Sequence, residues 1–342
     1  MPADLTAGIE FNQDKLEDNM WGYHRTVDQK VNIGSAFFQN EWKNEHWGFL
    51  IGGRLDKHNL IDHVIFSPRA NLRYNPTENI NLRFSYSSGF RAPQAFDEDL
   101  HVENVGGNVA MVELADNLKE ERSQSLSVSA DIYHRFGAFQ VNFLVEGFYT
   151  KLSDVFALTD GEIVDGILTR TRYNAPGARV MGLTLEGKMA YLTKFQLQAG
   201  ITLQQSHYSE PHVWNKEAPA VKKMMRTPNT YGYFTATYTP IKPLSIALSG
   251  TYTGSMLVPH EPVPGFLEKP ITVNTKDFFD IGLKAAYDFK LYKSMNLQVN
   301  AGVQNIFNAY QNDFDKGADR DSGYIYGPSL PRSFFAGVKI SY

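Results

Sequence analysis

The residues able to do chemistry lie in stretches that lack any regular hydrophobic period. One group is Trp21, Tyr23, His24 and Arg25. A second is Tyr208, His212, Trp214, Lys216, Lys222, Lys223 and Arg226. Aromatic faces next to cations suit an anionic or catecholate ligand. The same Trp and Tyr residues would equally serve as anchors at a membrane interface. Met224, Met225 and Met256 offer soft donors or adaptable packing. Further on, Asp313, Asp315, Asp319 and Asp321 alternate around Gly317. That spacing loosely matches a calcium loop but lacks its bidentate Glu, and Lys316 and Arg320 can neutralise the charge within a salt-linked loop. His101 stands in another long aperiodic stretch, where a histidine is ordinarily solvated. No Gly-x-Ser-x-Gly or His-Glu-x-x-His pattern occurs, so catalysis has no support.

The elements that position these residues read as strands. In Asn79–Pro93, Ile80, Leu82, Phe84 and Tyr86 alternate with Asn81, Arg83, Ser85 and Ser87. A period of two makes a strand with one apolar and one polar face. The pattern recurs fourteen times, over residues 5–11, 31–42, 47–55, 68–74, 79–88, 123–134, 139–150, 181–189, 195–203, 231–238, 244–252, 279–289, 297–303 and 334–342. Connections alternate between short turns and longer loops, among them 56–66, 89–122, 152–178, 206–229, 254–275 and 305–331. In an up-and-down meander, alternate connections fall at the same end. All short turns therefore share one rim and all long loops the other, the pattern of an outer-membrane β-barrel. A soluble sandwich or propeller would have shorter strands and similar loops at both ends.

Composition agrees. Aromatics reach 13% of the 342 residues, as strands and interfacial girdles require. No apolar run of about 18 residues exists, which excludes a transmembrane helix. A mean hydropathy of -0.34 is compatible with a barrel, because only alternate strand residues need be apolar. Net charge is -4 with no basic stripe, so nucleic acid is not expected as a partner. The absence of cysteine removes disulfides and thiolate metal sites. The first residues already read as strand, without a signal peptide. The chain is thus either mature or a piece of something longer.

Four further stretches carry a resemblance. Gly89-Phe90-Arg91-Ala92-Pro93 ends a strand, and Asn117-Leu118-Lys119-Glu120-Glu121-Arg122-Ser123 leads into the next. Near the end stand Gly302-Val303-Gln304-Asn305-Ile306-Phe307-Asn308 and Tyr324-Ile325-Tyr326-Gly327-Pro328 through Pro331-Arg332. Together they resemble TonB-dependent receptors of the Bacteroidetes type, and the last strand, ending on Tyr342, resembles the insertion signal of such barrels. The resemblance implies an all-β, antiparallel up-and-down transmembrane barrel in the Gram-negative outer membrane. The 14 strands here would form the C-terminal part of a 22-stranded wall, with the plug and TonB box outside the chain. A fourteen-stranded barrel closed on itself, acting as a passive pore, is the alternative. It further implies uptake of an iron complex, most readily a ferric siderophore, with haem or cobalamin next. TonB would act only through the missing plug, outer-membrane lipid would surround the wall, and no resident cofactor is expected. In haem receptors of this kind, a histidine between the two boxes binds haem iron, the place His101 occupies. Arg91 is expected to tie the rim backbone or a nearby carboxylate among Asp97, Glu98 and Asp99. The ligand-binding residues expected are thus Arg91, His101, Trp21, Tyr23, His24, Tyr208, His212 and Trp214, with iron at His101 or calcium at the four aspartates.

Overall fold

The computed structural model describes every residue except Gly106, Gly107 and Lys293; the side chains of 97–98, 103–105 and 160–162 also lie outside the description. Its strands in chain order are β1 (Ala3–Met20), β2 (Arg25–Lys43), β3 (Trp47–His58), β4 (Ile65–Thr77) and β5 (Ile80–Arg91). Next come a single helical turn, α1 (Asp97–Leu100), then β6 (Glu103–Val105), β7 (Asn108–Leu114), β8 (Glu121–Phe136), β9 (Phe139–Val164) and β10 (Ile167–Tyr191). The chain continues through β11 (Phe195–His212), β12 (Val221–Lys223), β13 (Thr230–Ile241), β14 (Leu244–Thr253), β15 (Leu257–His260) and β16 (Ile271–Asn274). It ends with β17 (Phe278–Lys290), β18 (Asn296–Gln304) and β19 (Ser333–Ser341).

One sheet takes in seventeen of these strands. Three of the seventeen, β6, β7 and β12, are short loop strands, and the remaining fourteen are the wall anticipated from the alternation. Each wall strand pairs antiparallel with the next in sequence. Directly opposed residues share a face. Following the register from β1 to β19 therefore traces one outer surface. It runs Ile9, Ala36, Leu55, Phe66 in one row, and Leu72, Phe84, Val128, Gly147, Leu183, Leu203 in another. At the far side it continues through Leu248, Leu283, Val303 and Phe334. These side chains project from the wall: Ile9 is 88% exposed and Val128 54%. An apolar surface of this extent has no place in water and fits a lipid contact.

The inner surface is polar. Ser85 faces Ser127, Asn81 faces Asp131 and Thr184 faces Thr202. Inward carboxylates find partners on the same face. Glu186 pairs with Lys188 at 2.8 Å and accepts a hydrogen bond from the Tyr233 hydroxyl at 2.5 Å. At the short-turn rim, aromatic rings pair at Trp47–Tyr74, Phe139–Tyr191 and Tyr287–Phe289, with centroids 4.2 to 4.6 Å apart. They form an interfacial girdle of the kind barrels use.

The strands are longer than alternation alone implies. β1 has 18 residues and β9 has 26, where about 9–11 suffice to cross a bilayer. Residues 152–178, anticipated as a loop, instead form the end of a β9–β10 hairpin. Asp165 and Gly166, with φ of 51° and 77°, close it in a type I′ turn. Residues 12–30 likewise continue the first hairpin up to Trp21–Tyr23. What core exists lies under the long loops: Ile61, Ile65 and Ala92 in one cluster, and Met256, Val258 and Tyr324 in another.

If the outer row faces lipid, Val128→Arg costs about 2–4 kcal/mol in a bilayer, whereas Ser127→Arg, one residue along on the inner face, costs well under half of that. Denaturant titration of the reconstituted protein measures both. Equal costs would contradict the assignment of faces.

Candidate ligand vestibule

Above the apolar belt the inner face of the wall continues into a cavity of about 500 Å³ at the long-loop rim. The parity that faces inward lower down carries directly into it. Arg91 continues the row of Ser85 and Ser87 on β5, and Phe156 that of Phe148 and Thr150 on β9. Arg170 and Arg172 extend the inward positions of β10, and Tyr208 and His212 those of β11. All of these line the cavity, with His101, Trp214, Met225 and Glu261 supplied by loops.

The loop between β5 and β8 roofs this space. Its strand β7 runs parallel beside the upper end of β10, from Ile167↔Val109 to Arg172↔Leu114. The clamp is an ion pair between Arg172 and Asp99 of α1, both buried. Asp99 also accepts a hydrogen bond from the Phe96 backbone N–H at 2.9 Å, which closes the turn of α1. Arg25 donates to the carbonyls of Asp99 and Val112 at 2.8 and 3.2 Å. Gln29 and Ala95 exchange two hydrogen bonds, at 3.1 and 2.7 Å. The Asn117–Arg122 stretch is pinned by Asn174, which bonds the Lys119 N–H and carbonyl at 2.7 and 3.0 Å. Two residues along β10, Arg170 pairs with Glu261 at 3.1 Å, and Asn215 donates to the same carboxylate at 2.9 Å.

Among the lining groups are three guanidinium groups, two carboxylates and the rings of Phe156, Tyr208, His212 and Trp214. Arg91 lies over Phe96 at 4.0 Å and Phe156 at 5.5 Å, so aromatic stacking is part of its anchorage. The Tyr208 and His212 rings sit 4.8 Å apart. Burial pushes the Tyr208 hydroxyl up and holds the His212 imidazole below its usual range. The indole N–H of Trp214, a residue only 8% exposed, has no hydrogen-bond partner among the described residues. A buried donor of this kind costs about 1–3 kcal/mol unless something accepts from it.

Of the residues expected from the sequence, the cavity gathers Arg91, His101, Tyr208, His212 and Trp214. Trp21, Tyr23 and His24 stand instead at the tip of the β1–β2 hairpin, all exposed, with His24 at φ 52°. Asp99 is the partner of Arg172; the side chains of Asp97 and Glu98 lie outside the described residues. Lys216 lines a neighbouring cavity, and Met256 is buried against Val258 and Tyr324. Arg226 donates to the carbonyls of Gly323 and Ile325. The four aspartates do not converge. Asp313 accepts from the Tyr326 hydroxyl through both oxygens, at 2.7 and 2.6 Å; burial first, and then this hydrogen bond, push that phenol well above its ordinary range. Asp315 pairs with buried His260 at 2.9 Å and accepts from the Asp321 N–H, while Asp321 accepts from the backbone of Glu261 and Gly323. Among the described residues no three His, Asp or Glu side chains form a metal-holding group.

Phe156, Arg170, Arg172 and Glu261 were not singled out in the sequence. Arg170 and Arg172 have a signal there: two arginines at i and i+2 share one face of a strand. Reading the segment as a loop hid it.

A family model described as "TonB dependent receptor-like, beta-barrel" matches residues 2–306. The chain belongs to this family. Its barrels are outer-membrane proteins of receptors and transporters, and the family is not one of enzymes. No curated protein matches the sequence. Solved structures are similar in fold at 15 to 18% identity. They include the siderophore receptor PirA from Acinetobacter baumannii, at 16% identity and TM-score 0.69, covering 98% of this chain and 52% of that one. The ferric enterobactin receptor PfeA from Pseudomonas aeruginosa follows at 18% and 0.67, covering 98% and 50%. The ferric-catecholate import receptor Fiu from E. coli stands at 15% and 0.67, covering 98% and 51%. The chain spans about half the length of these receptors.

Two outcomes are expected. Asp99→Ala removes the buried carboxylate that pairs with Arg172, at about 3–5 kcal/mol of local stability. Amide exchange in β7 then accelerates by at least about a hundredfold while the lower wall is unchanged; unaltered exchange in β7 would remove the clamp. The His212 ring titrates below the ordinary 6.5. Because its folded value is depressed, the stability from burying the neutral ring is complete above 6.5 and is lost as the pH falls through 6.5 towards the folded value. An NMR titration with a midpoint at or above 6.5 would contradict this.

Proposed function

We propose that this barrel serves TonB-dependent uptake of an iron complex across the outer membrane, and that the vestibule takes a ferric siderophore of the anionic, catecholate class. The observation that carries the reading is the pairing of Arg91 and Arg172 with aromatic faces, beside Arg170, in one roofed cavity on the inward side of the wall. Catecholate oxygens bound to ferric iron retain net negative charge, which guanidinium groups attract. Catechol rings meet Phe156, Tyr208 and Trp214 with their faces. The similar folds of receptors for ferric enterobactin and ferric catecholates support the same class. Energy coupling through TonB would require a plug domain, which these strands do not supply. With such a plug the wall is a transporter, and a steady ion conductance from the plugged protein would favour the passive-pore alternative.

A second reading, haem capture, is favoured by one observation: His101 and His212 line the same cavity, and imidazole is an iron ligand.

Ferric enterobactin titrated into the full-length protein quenches tryptophan fluorescence saturably. Arg91→Ala and Tyr208→Ala each weaken binding about tenfold, in line with the loss of a desolvated cation–π contact or stacking face. Trp21→Ala leaves binding unchanged. No saturable quenching, or equal losses at Trp21 and Tyr208, would defeat the assignment. Haem titration distinguishes the second reading: a Soret shift lost in His101→Ala supports haem, and an unshifted spectrum ends it.

A further inference from the structure

Each arginine that β10 turns into the vestibule is already matched by a carboxylate, and the two carboxylates come from different loops. Arg172 holds Asp99 of the β5–β8 loop, and Arg170 holds Glu261 of the β14–β17 loop at 3.1 Å. Apart from its histidines, the cavity therefore sets three guanidinium groups against two carboxylates. That balance is a poor match for a ligand carrying several negative charges. A strongly anionic ligand needs one of the two carboxylates to withdraw.

The two pairs are not equally fixed. The Asp99 side chain is 2% exposed and is held through both oxygens, by Arg172 and by the Phe96 N–H. Moving it would undo the turn of α1. Glu261 combines a pinned backbone with a side chain that has somewhere to go. Its N–H donates to Asp321 at 2.9 Å, and the preceding His260 is paired with Asp315 and stacked on Tyr324. The residue stands in the partition between two cavities. It lines the vestibule on one side and a second cavity, of about 560 Å³, on the other. The second cavity is lined also by Asn215, which already donates to Glu261 at 2.9 Å, and by Lys216. Lys216 is exposed and makes no ion pair among the described residues. Changing the rotamer of a glutamate carries its carboxylate from one partner to another while the backbone stays in place.

We propose that the Glu261 carboxylate is an internal stand-in for the ligand. It occupies Arg170 until an anionic group of the ligand displaces it into the neighbouring cavity, towards Asn215 and Lys216. The exchange swaps one charge-assisted pair for another, so the guanidinium of Arg170 is never left buried without an anion. It makes Glu261 a specificity-determining residue. A ligand that brings an anion to Arg170 offsets the loss of the internal pair, and a neutral one does not. The inference rests on the anionic-ligand reading of the vestibule and adds to it the residue that must give way.

The test is a fluorescence titration of the full-length protein with ferric enterobactin, in the wild type, Glu261→Gln, Lys216→Gln and the double variant. Glu261→Gln keeps the shape of the side chain and removes the charge that competes for Arg170. It is expected to tighten binding at least about tenfold, the scale of one charge-assisted hydrogen bond. Lys216→Gln removes the receiving cation. It is expected to weaken binding roughly threefold, the scale of an exposed ion pair, and to change nothing once Glu261 is Gln. A general electrostatic effect of Lys216 would instead appear equally in both backgrounds. Unchanged or weaker binding in Glu261→Gln, or a Lys216 effect of the same size in both backgrounds, would overturn the proposal. Lys216→Gln alone, at an exposed side chain, is a test that leaves the buried pair intact: undiminished binding would overturn it too. The two levels separate in the wild type. No saturable quenching there defeats the vestibule reading and this inference together; saturable binding that Glu261→Gln does not tighten defeats this inference alone.

Discussion

In hydrocarbon a backbone N–H or C=O has no water to bond to, and each one left unpaired costs several kcal/mol. A chain with no long apolar helix can meet that demand only by laddering strand against strand. The ladder in turn fixes the side chains. Because the period is two, every residue on one face is opposed by a residue on the same face of its neighbour, and a slip of one would turn the whole apolar set inward. The apolar outer surface that runs from Ile9 on β1 to Phe334 on β19 is the consequence. The polar inner face, with Ser85 against Ser127 and Thr184 against Thr202, is its necessary counterpart.

The vestibule is the same rule carried above the belt. Once β9, β10 and β11 pass the level where lipid contact ends, the outward positions are free to carry Lys151, Arg179 and His207. The inward positions carry Phe156, Arg172 and Tyr208. The rim loops then need anchors that do not rely on the hydrophobic effect alone, since their apolar clusters are small. Buried polar links supply them. Arg172 with Asp99 holds α1, Gln29 holds Ala95, and the His260–Asp315 pair, stacked on Tyr324 at 3.8 Å, joins β15 to the last loop. Such links also fix where the guanidinium groups and rings sit relative to one another, which is what recognition of a ligand requires.

All fourteen wall strands are legible in the sequence, because lipid on one side and water on the other impose strict alternation. The extensions of β9 and β10 are not. Above the belt both faces meet water or loops, and the alternation fades. Asp154 at φ 54° and Pro176, which has no N–H to donate, interrupt the ladder between Val155↔Ala175 and Ser153↔Gly177. Gly177 adopts φ 150°, and a Cβ there would meet the Leu152 carbonyl oxygen at 2.6 Å. Asp, Pro and Gly therefore read as a loop while building a strained stretch of strand. The Asp165-Gly166 turn was the available sign of a hairpin. Candidate site residues fared by their connection to the wall. Tyr208 and His212 on β11 and Arg91 on β5 reach the vestibule. Trp21, Tyr23 and His24, equally aromatic and basic, end at an exposed hairpin tip, and composition alone does not separate the two cases.

The two-faced wall is the claim on which everything else rests, and the chain's lack of cysteine makes it directly accessible. Single cysteines placed from Ser125 to Asp131 of β8, in the full-length protein in a bilayer, can be spin-labelled and probed with lipid-soluble oxygen and a water-soluble nickel chelate. Labels at 126, 128 and 130 are predicted to be accessible to oxygen and shielded from nickel. Labels at 125, 127 and 129 are predicted to show less oxygen access. A profile without a period of two, or one in the opposite phase, would contradict the account.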